Sequence, residues 1–179
     1  MESATFHKIY IKDSRDMSEV ESNSVHLALT SPPYVTTTMH EGQAFPFREF
    51  LDLLTSVSHE VWRVLVPGGR FCLNIADIRT KYLEGHEGKL YRAPLAYEAF
   101  RVLLGLGFRY LDTWLWQKGF NRNFGGPLLG SYPYPATIYN NVYFEYIYVF
   151  EKPGEVDPWS WTDFGLWLGR WQPPAVTPA

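Results

Sequence analysis

The sequence predicts an α/β fold whose mainly parallel sheet ends in an antiparallel hairpin. Short apolar runs bounded by turn residues alternate with two amphipathic stretches of helical period, as in strands joined by helical crossovers. The last two apolar runs have no helical stretch between them, so we expect them to pair antiparallel. With 179 residues, 46% hydrophobic and 20% charged, the chain can bury the core that such a fold needs.

The first half of the chain contains three predicted strands and one helix. Alternating isoleucines indicate a strand near the N-terminus, and a short run of apolar residues indicates a second strand, buried on both faces. Apolar residues spaced by three and four then predict a helix opened by a proline and stopped by Pro-Gly-Gly, followed by a third strand. These elements are His7–Met17, Val25–Leu29, the helix from Pro46 to Pro67, and Arg70–Ile78.

The second half begins with a polar, glycine-containing segment at 79–91, which predicts a loop. A helix is expected from Pro94 to the glycines at 105–107, and a strand rich in aromatic and branched residues follows. After a long Gly, Asn and Pro-rich loop, clean alternation predicts the last strand, which Pro153-Gly154 ends. The last three segments are Phe108–Lys118, the loop Gly119–Asn141, and Tyr143–Glu151.

Composition and charge narrow the class of protein. The net charge is −3, but residues 79–122 contain 8 basic and 4 acidic side chains, a local excess that suits phosphate contacts. The single cysteine, Cys72, leaves no disulfide framework and favours a reducing cytoplasm. We expect no membrane span, because no apolar run approaches about 20 residues. The five histidines show no metal spacing, and we expect no metal.

The segment Ser31-Pro32-Pro33-Tyr34 follows the second predicted strand directly. In open parallel sheets, ligands bind beyond the carboxyl ends of the strands. Two prolines fix φ and supply no N–H, so their carbonyl oxygens are held as free acceptors. The serine hydroxyl is a further acceptor, and the tyrosine ring offers a face for a planar base. The segment therefore suits a base with an exocyclic amine, although proline pairs also form ordinary solvated turns.

Other polar residues follow the same sheet edge or flank its loops. Asn74 and Asp77 lie at the end of the next strand and either line the same pocket or form a turn. A second group flanks the loop beside the expected base pocket and is assigned to nucleic-acid binding, with solvated surface roles as the alternative. Its members are Lys118, Arg122, Tyr132 and Tyr134, and the candidates for phosphate contacts are Arg79, Lys81, Lys89 and Arg92.

Several segments together resemble the amino-methylating DNA methyltransferases, which methylate N4 of cytosine or N6 of adenine. "TSPPY" resembles their catalytic motif, "KDSRDM…NSVHLALTSPPY" their opening, and "WRVLVPGGRFCLNIADI" their next helix and strand. "WLWQK" and "SYPYPATIYNNVYFEYIYVFEKPG" are similar to the strand and closing hairpin that follow. The similarity covers nearly all of residues 7–154.

The resemblance implies a partial Rossmann-like class I methyltransferase fold, with S-adenosyl-L-methionine as cofactor and double-stranded DNA as partner. It implies a flipped base held by Ser31 to Tyr34, and the serine form of the motif is more usual for cytosine enzymes. Asp13 matches the acidic residue that the family places near the cofactor's adenine, with a turn aspartate at a strand end as the alternative. Ser14 and Thr30 are assigned to cofactor binding beside it.

The sequence lacks one motif of that family, the glycine-rich F-x-G-x-G cofactor loop. Many members are circularly permuted, with the catalytic half first. We therefore expect residues 1–154 to form the catalytic half, and a second polypeptide or a missing C-terminal part to supply the loop. The Trp-rich segment 155–179 is expected to cover the open sheet or dock on a partner, with packing back onto this chain's own core as the alternative. Its large apolar residues are Trp159, Trp161, Phe164, Trp167, Leu168 and Trp171.

Three alternatives stay open at this point. The first is an enzyme that methylates N6 of adenine rather than N4 of cytosine. The second is an enzyme that acts on RNA or protein, where related proline-proline-aromatic motifs also hold amines. The third is a non-catalytic DNA-binding or assembly subunit derived from such an enzyme.

Overall fold

The computed structural model describes residues 6–34, 47–80, 91–118 and 144–155, with only the backbone of residues 79 and 80. It contains six strands and two helices in these ranges. In chain order they are β1 (Val25–Thr30), α1 (Phe47–Val64), β2 (Leu65–Ile75), β3 (Ile78–Thr80), β4 (Tyr91–Ala93), α2 (Leu95–Gly105), β5 (Arg109–Gln117) and β6 (Phe144–Glu151).

Four strands form one sheet in the order β1-β2-β6-β5. β1 and β2 pair in parallel, with Leu29 opposite Cys72. β6 lies antiparallel between β2 and β5, with Asn74 opposite Ile147 and Trp114 opposite the same isoleucine on the other side. Three strands thus run one way and β6 runs the other. The predicted α/β sheet with a closing antiparallel hairpin is confirmed.

The core lies between one face of this sheet and the two helices. Alternate residues of β2 supply Phe71, Leu73 and Ile75, each fully buried, and Phe150 of β6 joins them. Burying a side chain of this size is worth about 1.5–3 kcal/mol. The helices contribute residues at spacings of four and seven. These are Phe50, Leu54 and Val61 from α1, and Leu95, Ala99 and Leu103 from α2.

Local chemistry sets the ends of the second helix. The Asp77 Oδ1 accepts a hydrogen bond from the Ala96 N–H at 3.2 Å, which satisfies one of the free amides at the N-terminus of α2. Beyond its C-terminus, Gly107 has φ +96°, which side chains other than glycine rarely adopt. A Cβ at this position would also approach the Trp62 ring to 3.3 Å. The chain therefore turns into β5 at a point that requires glycine.

The strand predicted at His7–Met17 is wrong. The described residues before β1 form no strand, and Ile9 and Ile11 are 87% and 98% exposed. A strand needs a neighbour to complete its backbone hydrogen bonds, and no described strand lies beside this segment. Arg63 of α1 contacts it only near its end, donating to the Met17 carbonyl oxygen at 2.7 Å.

Other elements of the structure differ from the predicted ones because of their tertiary context. β1 is at a sheet edge rather than buried on both faces, since Leu27 and Leu29 are 43% and 70% exposed. The third strand begins at Leu65 and ends at Ile75, and the segment predicted as a loop contributes β3 and β4. The predicted loop at 119–141 and the tryptophan-rich segment from 156 onward lie outside the described residues. Within the described ranges, neither helix is long and apolar enough to cross a membrane.

Candidate active site

The Ser31–Tyr34 segment leaves the carboxyl end of β1 beside the carboxyl end of β2. Because these strands are parallel, their last residues meet at the same edge of the sheet. Ser31 is exposed there, and Asn74 near the end of β2 places its Nδ2 3.4 Å from the Ser31 Oγ. This is a long hydrogen bond, and it joins the two strand ends that sequence analysis predicted would form the pocket.

A buried carboxylate completes this edge from the adjacent strand. β6 is antiparallel to β2, so its first residues lie beside the last residues of β2. Glu145 is 5% exposed and accepts a hydrogen bond from Asn74 Nδ2 at 2.7 Å. The Lys118 ammonium, just after β5, forms an ion pair with Glu145 and lies 5.3 Å from the centre of the Trp116 ring. Ser31, Asn74, Glu145 and Lys118 therefore form one chain of contacts across four strand ends.

The charge of Glu145 is stabilised by these neighbours. Burial acts to raise the pKa of the Glu145 carboxyl, but hydrogen bonds from Lys118 and Asn74, with the lysine's charge, outweigh it and place the pKa below its ordinary value. Burial, together with the nearby negative charge of Glu145, raises the pKa of Tyr34 to about 12. At neutral pH the site therefore holds an ionised carboxylate and a neutral phenol.

The Tyr34 side chain points its hydroxyl into the protein. Its ring packs against the hydrophobic core, and the hydroxyl oxygen is buried near Ser31, Glu145 and the Ala76 backbone. Neither this hydroxyl nor the buried Asn74 Oδ1 has a hydrogen-bond partner of ordinary geometry among the described residues. Unsatisfied buried polar atoms are uncommon in folded proteins, and both of these lie at the same strand edge.

The residues predicted to bind the cofactor occupy other positions. Asp13 lies in an exposed turn, where Arg15 donates to its carboxylate at 2.5 Å. Hydrogen bonds from Arg15 lower the pKa of Asp13 to about 2. Ser14 is exposed in the same turn, and Thr30 is the last, partly buried residue of β1, opposite Leu73. Of these, only Thr30 adjoins the Ser31–Tyr34 segment directly.

The structure places the remaining candidates in different settings. Lys118, predicted to bind nucleic acid, faces Glu145, and its side chain is 47% exposed. Asp77 caps α2, which accounts for it as a structural residue. Cys72 is half-buried on β2, and burial raises the pKa of its thiol. Arg92, predicted to contact phosphates, is exposed on β4 opposite Arg79 of β3. The others lie outside the described residues or are described only in part: Arg122, Tyr132, Tyr134, Lys81 and Lys89, and the side chain of Arg79.

Sequence analysis missed Glu145. An isolated glutamate in an alternating strand is usually a solvated residue on the outer face, and nothing in the local pattern distinguishes it. One signal was available: Glu145 and Glu151 occupy the same face of a strand that ends a buried sheet, and two carboxylates on an interior strand need partners. Within the described ranges, no three His, Cys, Asp or Glu side chains come together as a metal site.

Similarity to a known protein family identifies the class of this protein. Residues 25–169 match the N6/N4 methyltransferase family, which is described as DNA methylase. The chain belongs to this DNA methylase family. The match covers the motif segment Ser31–Tyr34, both helices and all the strands. The family resemblance found in the sequence is thereby confirmed.

Two archaeal relatives of this DNA methylase are similar over most of its length. Type II methyltransferase M.MthZI of Methanothermobacter thermautotrophicus is 30% identical over 168 residues, covering 84% of this chain and 46% of the relative. Type II methyltransferase M.MjaI of Methanocaldococcus jannaschii is 31% identical over 176 residues, covering 83% and 56%. The chain thus spans about half the length of these relatives.

Solved structures show the same fold. The Thermus thermophilus protein TTHA0409, complexed with S-adenosyl-L-methionine, aligns with a TM-score of 0.60 at 30% identity, covering 82% of this chain and 55% of that one. PvuII DNA methyltransferase, described as cytosine-N4-specific, aligns with a TM-score of 0.56 at 19% identity, covering 80% and 48%. The second likeness concerns the fold alone. The predicted partial class I methyltransferase architecture is confirmed.

Proposed function

We propose that this DNA methylase chain is the base-binding half of an enzyme that methylates the exocyclic amine of a flipped DNA base, N4 of cytosine. One observation carries the proposal: the Ser31–Tyr34 segment follows β1 at the sheet edge where Asn74 and the buried Glu145 meet. A proline-proline motif in a solvated turn would not need a buried carboxylate behind it. The family membership and the restriction-modification relatives support DNA as the substrate.

The residues of this chain act on the acceptor side of the reaction. A base amine cannot be reached within the duplex stack, so the nucleotide must be extruded into the pocket. The Ser31 hydroxyl and the Pro32 carbonyl accept hydrogen bonds from the amine, and Pro33 keeps the segment rigid. The Tyr34 ring supports the base, and its hydroxyl is buried on the protein side. These contacts orient the nitrogen lone pair for an in-line attack.

The cofactor proposed is S-adenosyl-L-methionine, supported by the complex of the TTHA0409 relative. When bound, it supplies an electrophilic methyl group on a sulfonium sulfur. The described residues fit the acceptor side of such a site, with Thr30 adjoining the motif and Asp13 and Ser14 proposed at the adenine end. We assign to the described residues the part of the site that holds the base and its amine.

The preference for cytosine rests on Ser31. The resemblance associates serine in this motif with N4-cytosine enzymes and aspartate with N6-adenine enzymes. Serine is a neutral hydroxyl, and in this protein the nearby negative charge is supplied by Glu145 behind Asn74. Methylation of adenine is the alternative outcome of the test below.

A second polypeptide, or a further part of a longer protein, is proposed to carry the F-x-G-x-G loop. Among the described strands β1 lies at the edge of the sheet, and this edge and the exposed Ile9 and Ile11 offer it a surface. Residues 1–154 are then the catalytic half and 155–179 a covering or docking segment. Double-stranded DNA is proposed to contact Arg122, Tyr132 and Tyr134, with Lys118 at the edge of the pocket. The cytoplasm, where the DNA of a restriction-modification host lies, is the proposed location.

The test combines this chain with a polypeptide carrying the F-x-G-x-G loop, methyl-labelled S-adenosylmethionine and DNA. Mass spectrometry of the digested nucleosides should find N4-methylcytosine. N6-methyladenine would overturn the base assignment but keep the enzyme class. Label in RNA or protein instead of DNA would overturn the substrate. No transfer from the mixture, with DNA binding retained, would favour a non-catalytic assembly subunit.

A further inference from the structure

The buried carboxylate of Glu145 lies behind the base-binding segment rather than in it. We infer that Glu145 is a positioning residue whose carboxylate, held by Lys118, fixes the orientation of the Asn74 amide. Through that amide it sets the hydroxyl of Ser31. This inference rests on the proposed function, in which Ser31 contacts the target amine.

The side-chain amide of Asn74 can turn either its oxygen or its nitrogen toward a neighbour. An ionised carboxylate only accepts hydrogen bonds, so Glu145 requires the nitrogen, and Nδ2 lies 2.7 Å from its Oε2. The same nitrogen faces the Ser31 Oγ at 3.4 Å. Ser31 therefore accepts from Asn74 rather than donating to it, and its second lone pair is left for a hydrogen of the target amine.

Keeping the buried carboxylate of Glu145 ionised costs free energy, and this cost argues for a role in the site. Buried ion pairs contribute little net stability compared with apolar residues of similar size. At 5% exposure the carboxylate has lost most of its water, and it lies on the strand between β2 and β5. If it were protonated, it could donate to the Asn74 oxygen instead, and the amide would no longer have one preferred orientation.

Among the described residues, the titratable groups facing Glu145 are the Lys118 ammonium and the Tyr34 phenol. The phenol is neutral at physiological pH, because its pKa is raised to about 12. The ammonium is therefore the charged group that, together with the hydrogen bond from Asn74, keeps the carboxylate ionised. Removing Lys118 should leave the fold intact, since that side chain is about half exposed, but should raise the pKa of Glu145.

The chain offers a matched control for a test of this role. Glu151, on the same strand and equally buried at 4% exposure, pairs with Arg70 and Arg109 at the opposite end of the sheet. We compare Glu145→Gln with Glu151→Gln in two measurements. The first is kcat and KM for methyl transfer in the mixture described above. The second is hydrogen exchange of the Asn74 side-chain amide by NMR on the full chain, assigned with Asn74→Asp.

For Glu145→Gln we expect kcat to fall about 100-fold, the effect of a misplaced reacting group, with KM for DNA unchanged. The Asn74 amide should exchange faster by on the order of tenfold, because its charge-assisted hydrogen bond is lost. Glu151→Gln should change neither quantity per folded molecule. Lys118→Met, the variant least able to disturb folding, should shift the acid limb of the rate profile to higher pH.

Equal losses of kcat in the two glutamine variants would overturn the inference. So would an unchanged exchange rate of the Asn74 side-chain amide in Glu145→Gln. An acid limb of the rate profile that stays at the same pH in Lys118→Met would also overturn it. Failure of the wild-type mixture to methylate DNA would refute the proposed function instead. In that case the hydrogen-exchange rate of the Asn74 side-chain amide still tests whether Glu145 orients this amide.

Discussion

The two ends of β6 each carry a glutamate that is buried to the same degree, but the two glutamates differ in how fully they and their neighbours are paired. At one end, both Glu151 oxygens pair with guanidinium groups, with Arg70 at 2.7 Å and with Arg109. At the other end, Glu145 shares one ammonium and one amide, and the neighbouring Tyr34 hydroxyl and Asn74 Oδ1 remain unpaired among the described residues. The Glu151 end is thus fully paired, whereas the Glu145 end keeps two buried polar atoms without a regular partner beside the base-binding segment.

The largest expected effect is at the exposed tip of the Glu145 end. Ser31→Ala removes an acceptor for the target amine and should lower kcat by about 100- to 1000-fold, as removal of one preorganised site group does. Because Ser31 is exposed, the thermal midpoint should not move. Labelled methyl transfer and a thermal melt on the same preparation check both statements.

Ser24→Ala is the control for this variant. Ser24 lies just before the opposite end of β1, where its hydroxyl donates to the Glu21 carbonyl oxygen at 2.7 Å. Its replacement should leave methyl transfer unchanged. If both serine variants lose activity alike, Ser31 acts through the strand and not through its hydroxyl.

The next effect belongs to the other end of the strand. Glu151→Gln should lower the free energy of unfolding by about 2 kcal/mol, less than for a fully buried pair because both arginines are partly exposed. Urea denaturation measures this value. A stability loss from Glu145→Gln much greater than that from Glu151→Gln would contradict the division of roles between the two ends.

Lowering the pH should reduce the stability that the ionised carboxylate of Glu145 contributes to the fold. The pKa of Glu145 in the folded protein lies below the ordinary 4.5 that it regains on unfolding. The unfolded chain therefore binds the proton more readily, and this stabilisation is complete above about pH 4.5 and is lost as pH falls through the folded pKa. Urea melts of Glu145→Gln between pH 3 and pH 7 should show a shallower loss of stability than wild type. Identical slopes would mean that Glu145 is not charge-stabilised.

The smallest effect is expected at Tyr34. Tyr34→Phe keeps the ring and removes a buried hydroxyl that has no regular hydrogen bond among the described residues. Stability should stay unchanged or rise by up to about 1 kcal/mol, because an unsatisfied polar group is removed. Methyl transfer should persist, measured beside Ser31→Ala. A loss as large as that of Ser31→Ala would show that the hydroxyl, and not only the ring, takes part.

Sequence patterns predicted the local elements well where a single face or period defines them. The helical period predicted a helix between Pro46 and Pro67, where α1 spans Phe47–Val64, and alternation predicted a strand at Tyr143–Glu151, where β6 spans Phe144–Glu151. Alternation failed at Ile9 and Ile11, because a strand is completed only by a neighbouring strand. The short apolar run Val25–Leu29 predicted a strand buried on both faces, but Leu29 is 70% exposed in β1, at the edge of the described sheet.

The sequence alone determined the α/β class, the helices and the proline-proline segment at a strand end, because these depend on periodicity and on the rigidity of proline. Only the tertiary structure decided that β6 enters between β2 and β5. That insertion brings Glu145 to Asn74, 71 residues away in sequence, and turns an ordinary strand glutamate into the charge behind the base-binding segment. Strand order depends on long-range pairing, which no local pattern of residues specifies.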